Sequence, residues 1–341
     1  MILLTGGAGY IGSHMLYELL KANYDVLVLD NLSNSSIEAI KRVQRLTGKE
    51  AIFIQGDVRN AELLDSIFSK YPLQAVLHFA GLKAVGESVE QPLKYFDNNV
   101  TGSLTLLQAM KKNNIKRIVF SSSATVYGDP TPDVLPLTES TPTAMPTNPY
   151  GYTKLVVEKM MQQLVASDPS WSIGVLRYFN PVGAHKSGQI GEDPKGIPNN
   201  LLPYIAQVAV GRRDKLSVFG DNYDTPDGTG IRDYIHVVDL AQGHLAALDY
   251  LNENTGYHIW NLGTGVGYSV LDMVKAFEEA NDIHIPYEIS PRRAGDIAAC
   301  FADPHKAKNS LGWYAKLSLQ DMMADTWRWQ QANPNGYESQ D

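Results

Sequence analysis

Through the first half of the chain, short runs of apolar and β-branched residues alternate with stretches whose apolar positions recur every three or four residues. The runs fall at 2–4, 25–30, 51–54, 75–79, 117–121 and 172–179. This alternation predicts six strands in one doubly wound parallel sheet with helices on both faces, an α/β architecture. Between the first two runs, Ile11, Met15, Leu16, Leu19 and Leu20 keep helical spacing and predict the first crossover helix over about 10–21. After residue 179 the texture changes to PVGAHKSGQIGEDPKGIPNN, rich in Gly, Pro and Asn. Helical periodicity returns at 201–210, 237–250, 270–280 and 319–331. The expected organisation is a sheet domain over 1–179 and a smaller α+β domain over 180–341, whose loops face the carboxyl ends of the strands, where open α/β sheets bind ligands.

Composition narrows the chemistry. The chain has 341 residues, 29 basic against 37 acidic, and a net charge of -8, with no Lys/Arg run longer than a pair. That balance argues against a nucleic-acid partner. The opening apolar run, ILL, is too short for the core of a signal peptide, and no stretch approaches the roughly eighteen apolar residues of a membrane span. The single cysteine, Cys300, excludes an intramolecular disulfide and any metal site built from several thiolates, and fits a reducing cytoplasm. Taken alone it reads as a small apolar filler. No HExxH motif or close His cluster points to a metal; His236 and His244 read as packing or surface residues, and the sequons at Asn31, Asn34 and Asn99 as chance.

Gly6, Gly9 and Gly12 directly follow the first predicted strand and open the first predicted helix, and the next strand ends in Asp30. Glycines there allow a tight turn and close approach of backbone N–H groups to a pyrophosphate at a helix N-terminus, while the carboxylate accepts hydrogen bonds from the adenosine ribose. This is the fingerprint of a Rossmann dinucleotide site. A carboxylate at that position, with no Arg in the following DNLSNSS, favours NAD over NADP. Asp57, ending the third run, either holds the adenine amino group or is an ordinary polar strand terminus.

In NPYGYTK, Tyr150 and Lys154 are four residues apart, with Asn148 as a cap and Pro149 in the first turn of a predicted helix. The spacing puts both side chains on one face, where an ammonium lowers the phenol's pKa from about 10 toward that of a usable base. The fifth run ends in Ser121, Ser122 and Ser123, which delivers hydroxyls to the same sheet edge. A hydroxyl beside a phenolate and an ammonium handles the proton of a secondary alcohol while hydride leaves its carbon.

TGGAGYIG, HFAGLKAVGES, DNNVTGSLTLL, FSSSATVYG, NPYGYTK, RYFNPVGAH, GIPNNLLPYI and RDYIHVVDLA together resemble the extended short-chain dehydrogenase/reductases, and within them the UDP-galactose 4-epimerases, over about residues 1–330. The resemblance implies Ser123, Tyr150 and Lys154 as the catalytic set. Around NAD it implies Tyr10, Ile11, Asp30, Asn31, Leu32, Ser33, Asn34, Ser35, Asp57, Val58, Phe79, Ala80, Gly81, Lys83, Asn98 and Phe179, besides Tyr150 and Lys154. Toward a UDP-sugar it implies Lys83, Asn180, Asn200, Arg232, Arg293 and Asp296, with Ser217, Val218 and Phe219 along the uracil. The implied activity is inversion at C4 of a UDP-hexose through a transient 4-keto sugar. Cys300 falls where epimerases restricted to UDP-glucose and UDP-galactose carry Tyr, so the resemblance extends the expected substrates to the 2-acetamido pair, UDP-GlcNAc and UDP-GalNAc.

Related 4,6-dehydratases resemble one another in an acidic pair after the serine segment, where this chain has Ala124 and Thr125. A non-catalytic dinucleotide sensor on the same fold would have no use for the Ser123, Tyr150 and Lys154 set. A homodimer is expected from the helices near 95–112 and 150–165, with Leu104, Leu107, Met160 and Met161 facing either the partner or the sheet.

Overall fold

The computed structural model describes residues 1–196, 198–293 and 295–337; the end of the expected second domain, 338–341, and position 197 of the GIPNN segment lie outside the described residues. In chain order the strands are β1 (Ile2–Thr5), β2 (Val26–Asp30), β3 (Ile52–Gln55), β4 (Ala75–His78), β5 (Arg117–Ser123), β6 (Ser172–Tyr178) and β7 (Asn180–Val182). They continue with β8 (Leu216–Phe219), β9 (Ile231–His236), β10 (Gly256–Leu262), β11 (Gly267–Ser269), β12 (Tyr287–Ser290) and β13 (Ala299–Cys300).

The large sheet is parallel throughout, in the order β3-β2-β1-β4-β5-β6-β10. Strand side chains alternate between its two faces, and both faces are covered. Ile2, Leu4, Val26 and Val28 pack under the helices Tyr10–Lys21 and Val237–Tyr250, where Met15, Leu16, Leu240 and Leu248 meet them. Leu3, Leu27, Leu29 and Val76 pack on the other face under Leu106, Met110, Val157 and Met161. The uniformly apolar runs of β1, β2 and β4 are therefore strands buried on both sides, whereas β3, at the sheet edge, leaves Ile52 exposed.

The sheet has seven strands rather than the expected six. The seventh, β10, comes from beyond residue 180 and pairs with β6 along its whole length, Gly256 opposite Ser172 through Leu262 opposite Tyr178. Its sequence, GYHIWNL, carries too few β-branched residues to announce a buried strand. The remaining strands build two small sheets, β9 flanked by β7, β11 and β13, and β8 beside β12. Val182, Leu202, Ile205, Val218, Met273, Phe277 and Met323 form their core. His236 and His244 are both buried. Of the residues expected at a dimer face, Leu107 and Met161 are buried in the sheet core and Met160 packs against it, whereas Leu104 is exposed.

A buried ion pair joins the helix Pro149–Ser167 to the sheet. Arg177 on β6 donates to Glu158 through Nε at 3.0 Å and Nη2 at 2.7 Å, and Ser122 Oγ donates to the same carboxylate at 2.5 Å. Removing one partner of such a pair strands a buried charge and costs about 3–5 kcal/mol, whereas an apolar replacement of both is close to neutral. Arg177→Met is accordingly expected to lower the urea unfolding midpoint strongly, and Arg177→Met with Glu158→Leu to recover most of it. An unchanged midpoint in the single variant would remove this pair from the list of interactions holding the helix.

Candidate functional site

Strands β1 and β4 are neighbours whose chains leave toward opposite sides of the sheet, which opens a crevice at their carboxyl ends. A cleft of about 810 Å³ runs from there across the edge of β5 to the loops of the smaller domain. Its wall contains every expected site residue except Leu32 and Val218. Val218 is buried in the core of the smaller domain, and Leu32 packs against the large-sheet core. The one-residue alternation of a strand explains Val218, since Ser217 and Phe219 on either side of it face the cleft.

At the first end of the cleft the chain turns sharply between β1 and its helix. Gly6 has φ of 72°, and a Cβ there would stand 2.7 Å from the Ala80 nitrogen; a Cβ on Gly12 would stand 2.1 Å from the Gly6 carbonyl oxygen. Neither position accommodates a side chain. The helix Tyr10–Lys21 starts at Gly9 with no side-chain cap and no acidic residue in its first turn, so its N–H groups and dipole remain for an anion. Asp30 holds the surrounding loops through bonds from Ala8 N at 3.0 Å, Leu32 N at 2.9 Å and Ser35 Oγ at 2.8 Å. Asp57 accepts from Asn31 Nδ2 and from Arg59, whose guanidinium holds the carboxyl well below the usual range. These features fit a dinucleotide with its pyrophosphate over the helix start and its ribose at Asp30.

At the middle of the cleft stand the three residues expected to do chemistry. Ser123 ends β5, its Oγ accepts from Thr125 N and Oγ1 at 3.2 and 2.9 Å, and it shares the cleft wall with Tyr150. Asn148 caps the next helix by accepting from Gly151 N at 2.9 Å, which fixes the first turn that carries Tyr150. Lys154 Nζ lies 5.9 Å from the Tyr150 ring centroid and donates to the Ser121 carbonyl at 2.6 Å. Burial lowers the Lys154 pKa to about 8, against the opposing pull of the Glu158 charge. Burial also raises the Tyr150 pKa, and the nearby Ser123 hydroxyl opposes that rise. The expected lowering of the phenol by Lys154 is thus not the dominant influence in the protein alone.

Several residues that the sequence did not single out organise this centre. Asn99, buried in the π-helical turn Phe96–Thr101, accepts from Leu82 N at 2.8 Å and donates to Leu82 O and Thr153 Oγ1, both at 3.0 Å. It ties the 80–83 segment to the helix of Tyr150, and such π turns recur at functional sites. Glu192 accepts from Lys83 at 2.8 Å and from Asn200 at 2.9 Å, so one carboxylate joins two expected ligand residues across the cleft. Neither role has a local sequence signal, because each depends on segments brought together only by folding.

At the far end, Arg293 stacks on Phe219 with its guanidinium carbon 3.8 Å from the ring centroid, and Arg232 and Asp296 line the same wall. Cys300 is buried beside Ala124, Tyr127 and Phe179, and burial pushes its thiol up to about 12, so it offers size rather than reactivity.

A doubly wound sheet with a glycine-turn dinucleotide cleft and a Ser, Tyr and Lys set at its edge defines an extended short-chain dehydrogenase/reductase. A family model described as GDP-mannose 4,6 dehydratase matches residues 3–326. The UDP-glucose 4-epimerase of Pasteurella multocida (strain Pm70) is 61% identical over 336 residues, 98% of this chain and 99% of that protein. The UDP-glucose 4-epimerase of Bacillus subtilis (strain 168) is 60% identical over 338 residues, 99% of each chain. The crystal structure of UDP-glucose 4-epimerase from Bifidobacterium longum in complex with NAD+ and UDP superposes with a TM-score of 0.96 at 56% identity, covering 98% of this chain and 99% of that one. The chain belongs to the UDP-glucose 4-epimerase family.

Gly12→Ala tests the dinucleotide end, because its methyl group meets the Gly6 carbonyl. The variant is expected to fold but to release, on denaturation, far less dinucleotide per chain than the native protein, as quantified by chromatography. Equal amounts from both would show that the tight turn does not set cofactor binding.

Proposed function

We propose that this chain inverts C4 of UDP-glucose and UDP-galactose through a 4-keto sugar, with NAD retained throughout. The observation that carries the reading is the gathering of Ser123, Tyr150 and buried Lys154 on one wall, midway along one cleft between the glycine turn and Arg232 with Arg293. NAD bound along the glycine turn supplies the acceptor and donor for the C4 hydride, and its positive ring favours the phenolate. Tyr150, directly or through Ser123, takes the proton of the 4-hydroxyl and returns it to the same oxygen; C4 inverts because the ketone turns over in the cleft and takes its hydride back on the opposite face. Lys154 holds its ammonium close enough to steady that phenolate, and its bond to the Ser121 carbonyl keeps it there.

Inversion requires a nucleotide held firmly and a sugar held loosely. We assign the diphosphate to Arg232 and Arg293, whose guanidinium donors suit its oxygens, with Asn180, Asn200 and Lys83 around it and the Asp296 carboxylate toward the hydroxyls of the nucleoside. Ser217 and Phe219 flank the uracil by their side chains, and Val218 does so by its backbone alone. In this division of labour NAD belongs to residues 1–179 and the UDP-sugar mainly to the loops after residue 180. Ala124 and Thr125 follow Ser123 without a carboxylate, which disfavours the dehydratase reading of the same family.

Two further parts of the proposal rest on surfaces. Leu93 is 83% exposed, and with Val89, Leu104 and Tyr152 it gives the helices around residues 85–112 and 149–167 an apolar exterior suited to a homodimer. No helix among the described residues is long and apolar enough to cross a membrane, and we take the cytoplasm as the compartment from the acidic charge and single thiol.

Tyr150→Phe is expected to reduce conversion of UDP-glucose to UDP-galactose by about 10²- to 10⁴-fold, the usual worth of a positioned acid or base, while UDP still binds. Retained turnover in that variant would reject Tyr150 as the proton-transfer group. The small Cys300 leaves room for a 2-acetamido group, so the native protein is expected to turn over UDP-GlcNAc as well. Cys300→Tyr should cut the acetylated activity at least ~10-fold relative to the plain activity. A ratio that does not move overturns the role of this position in substrate choice.

A further inference from the structure

Tyr223 stands out among the cleft residues to which nothing above gives a task. It lines the wall shared by Phe219, Gly230, Arg232, Arg293 and Asp296, its residue surface is only 7% exposed, and its hydroxyl has no hydrogen-bond partner among the described residues. A buried hydroxyl without a partner is costly and uncommon in a native fold.

The loop around it is built to hold the ring still. Gly220 and Gly228 both have positive φ, 82° and 76°, and Tyr223 N donates to Gly228 O at 2.9 Å, which closes the loop after β8. Asp227 braces its far side by accepting from Thr229 N and Oγ1, both at 2.8 Å, and from Ser269 Oγ. Arg292 lies over the Tyr223 ring with its guanidinium carbon 3.9 Å from the centroid. That guanidinium donates through Nε to Asn222 Oδ1 at 2.7 Å and through Nη2 to Asn222 O, so it serves as a buttress.

We propose that the Tyr223 hydroxyl is a further substrate-binding donor, directed at a phosphate oxygen of the nucleoside diphosphate. The surroundings choose the acceptor. Arg232 and Arg293 favour an anion on this wall, and a phenol O–H gives an anionic oxygen a short, charge-assisted bond without adding a third full charge. The Asp296 carboxylate can only accept, so it suits a ribose hydroxyl. This assignment rests on reading the cleft as a UDP-sugar site.

Tyr223→Phe keeps the ring over Arg292 and deletes only the hydroxyl. Isothermal titration of the NAD-loaded protein with UDP and with uridine tests the proposal. The variant is expected to bind UDP about 10-fold more weakly, as for loss of one charge-assisted bond, with uridine affinity unchanged. Unchanged UDP affinity overturns the assignment while leaving the epimerase reading intact. Equal weakening for UDP and uridine overturns it in favour of a contact to the nucleoside. Failure of the native protein to bind UDP would overturn the epimerase reading and this assignment together.

Discussion

The buried contact of Arg177 with Glu158 sets the frame on which the chemistry depends. Arg177 belongs to β6, Glu158 to the helix of Tyr150 and Lys154, and Ser122 to the end of β5, so three elements meet at one carboxylate. Glu158 lies one helical turn beyond Lys154, and Ser122 precedes Ser123. Fixing the helix against the end of β5 fixes the distance between the phenol, the ammonium and the serine hydroxyl. The Glu158 charge also favours the protonated form of Lys154 against the desolvation that lowers its pKa, so the same group that positions the lysine supports its charge.

A second constraint acts on the dinucleotide end. Parallel strands must be joined by crossovers, and the reversal of strand order between β1 and β4 leaves a gap that no crossover fills. The glycine turn brings backbone rather than side chains to that gap, and Asp30 ties the turn to the loop after β2. The cofactor end is therefore made largely of main chain, which is why it has so compact a signature.

That difference decides what was legible in the sequence. The uniformly apolar runs of β1, β2 and β4, the Gly6 to Gly12 turn and the Tyr150 to Lys154 spacing are local patterns, each tied to its own strand end or helix turn, and all could be read without the fold. β10 could not, because GYHIWNL becomes a strand of this sheet only by pairing with β6. Asn99, Glu192 and Tyr223 escaped for a related reason. Leu82 is 17 residues from Asn99 and Lys83 is 109 from Glu192, and the surroundings of Tyr223 join the connection between β8 and β9 to Arg292, Arg293 and Asp296 far along the chain. Leu32 and Val218 show the converse: a motif names a stretch of chain, and only the geometry says which of its side chains face the ligand.

The two ends of the cleft are consequently free to vary independently. Catalytic geometry is carried by β5, β6 and one helix, all packed into the sheet core, and a substitution there disturbs buried contacts. The far wall of the cleft is built from side chains on β7, β8, β9 and β13 and the loops that join them, and the core of the smaller domain lies behind β8 and β9. Cys300 sits where the two meet, on the short strand β13 beside Ala124 of the segment that follows Ser123. A change of size at Cys300 alters the space in the cleft without touching the Glu158 and Arg177 frame. The cleft can therefore change shape at that point while the buried frame under Tyr150 and Lys154 stays as it is.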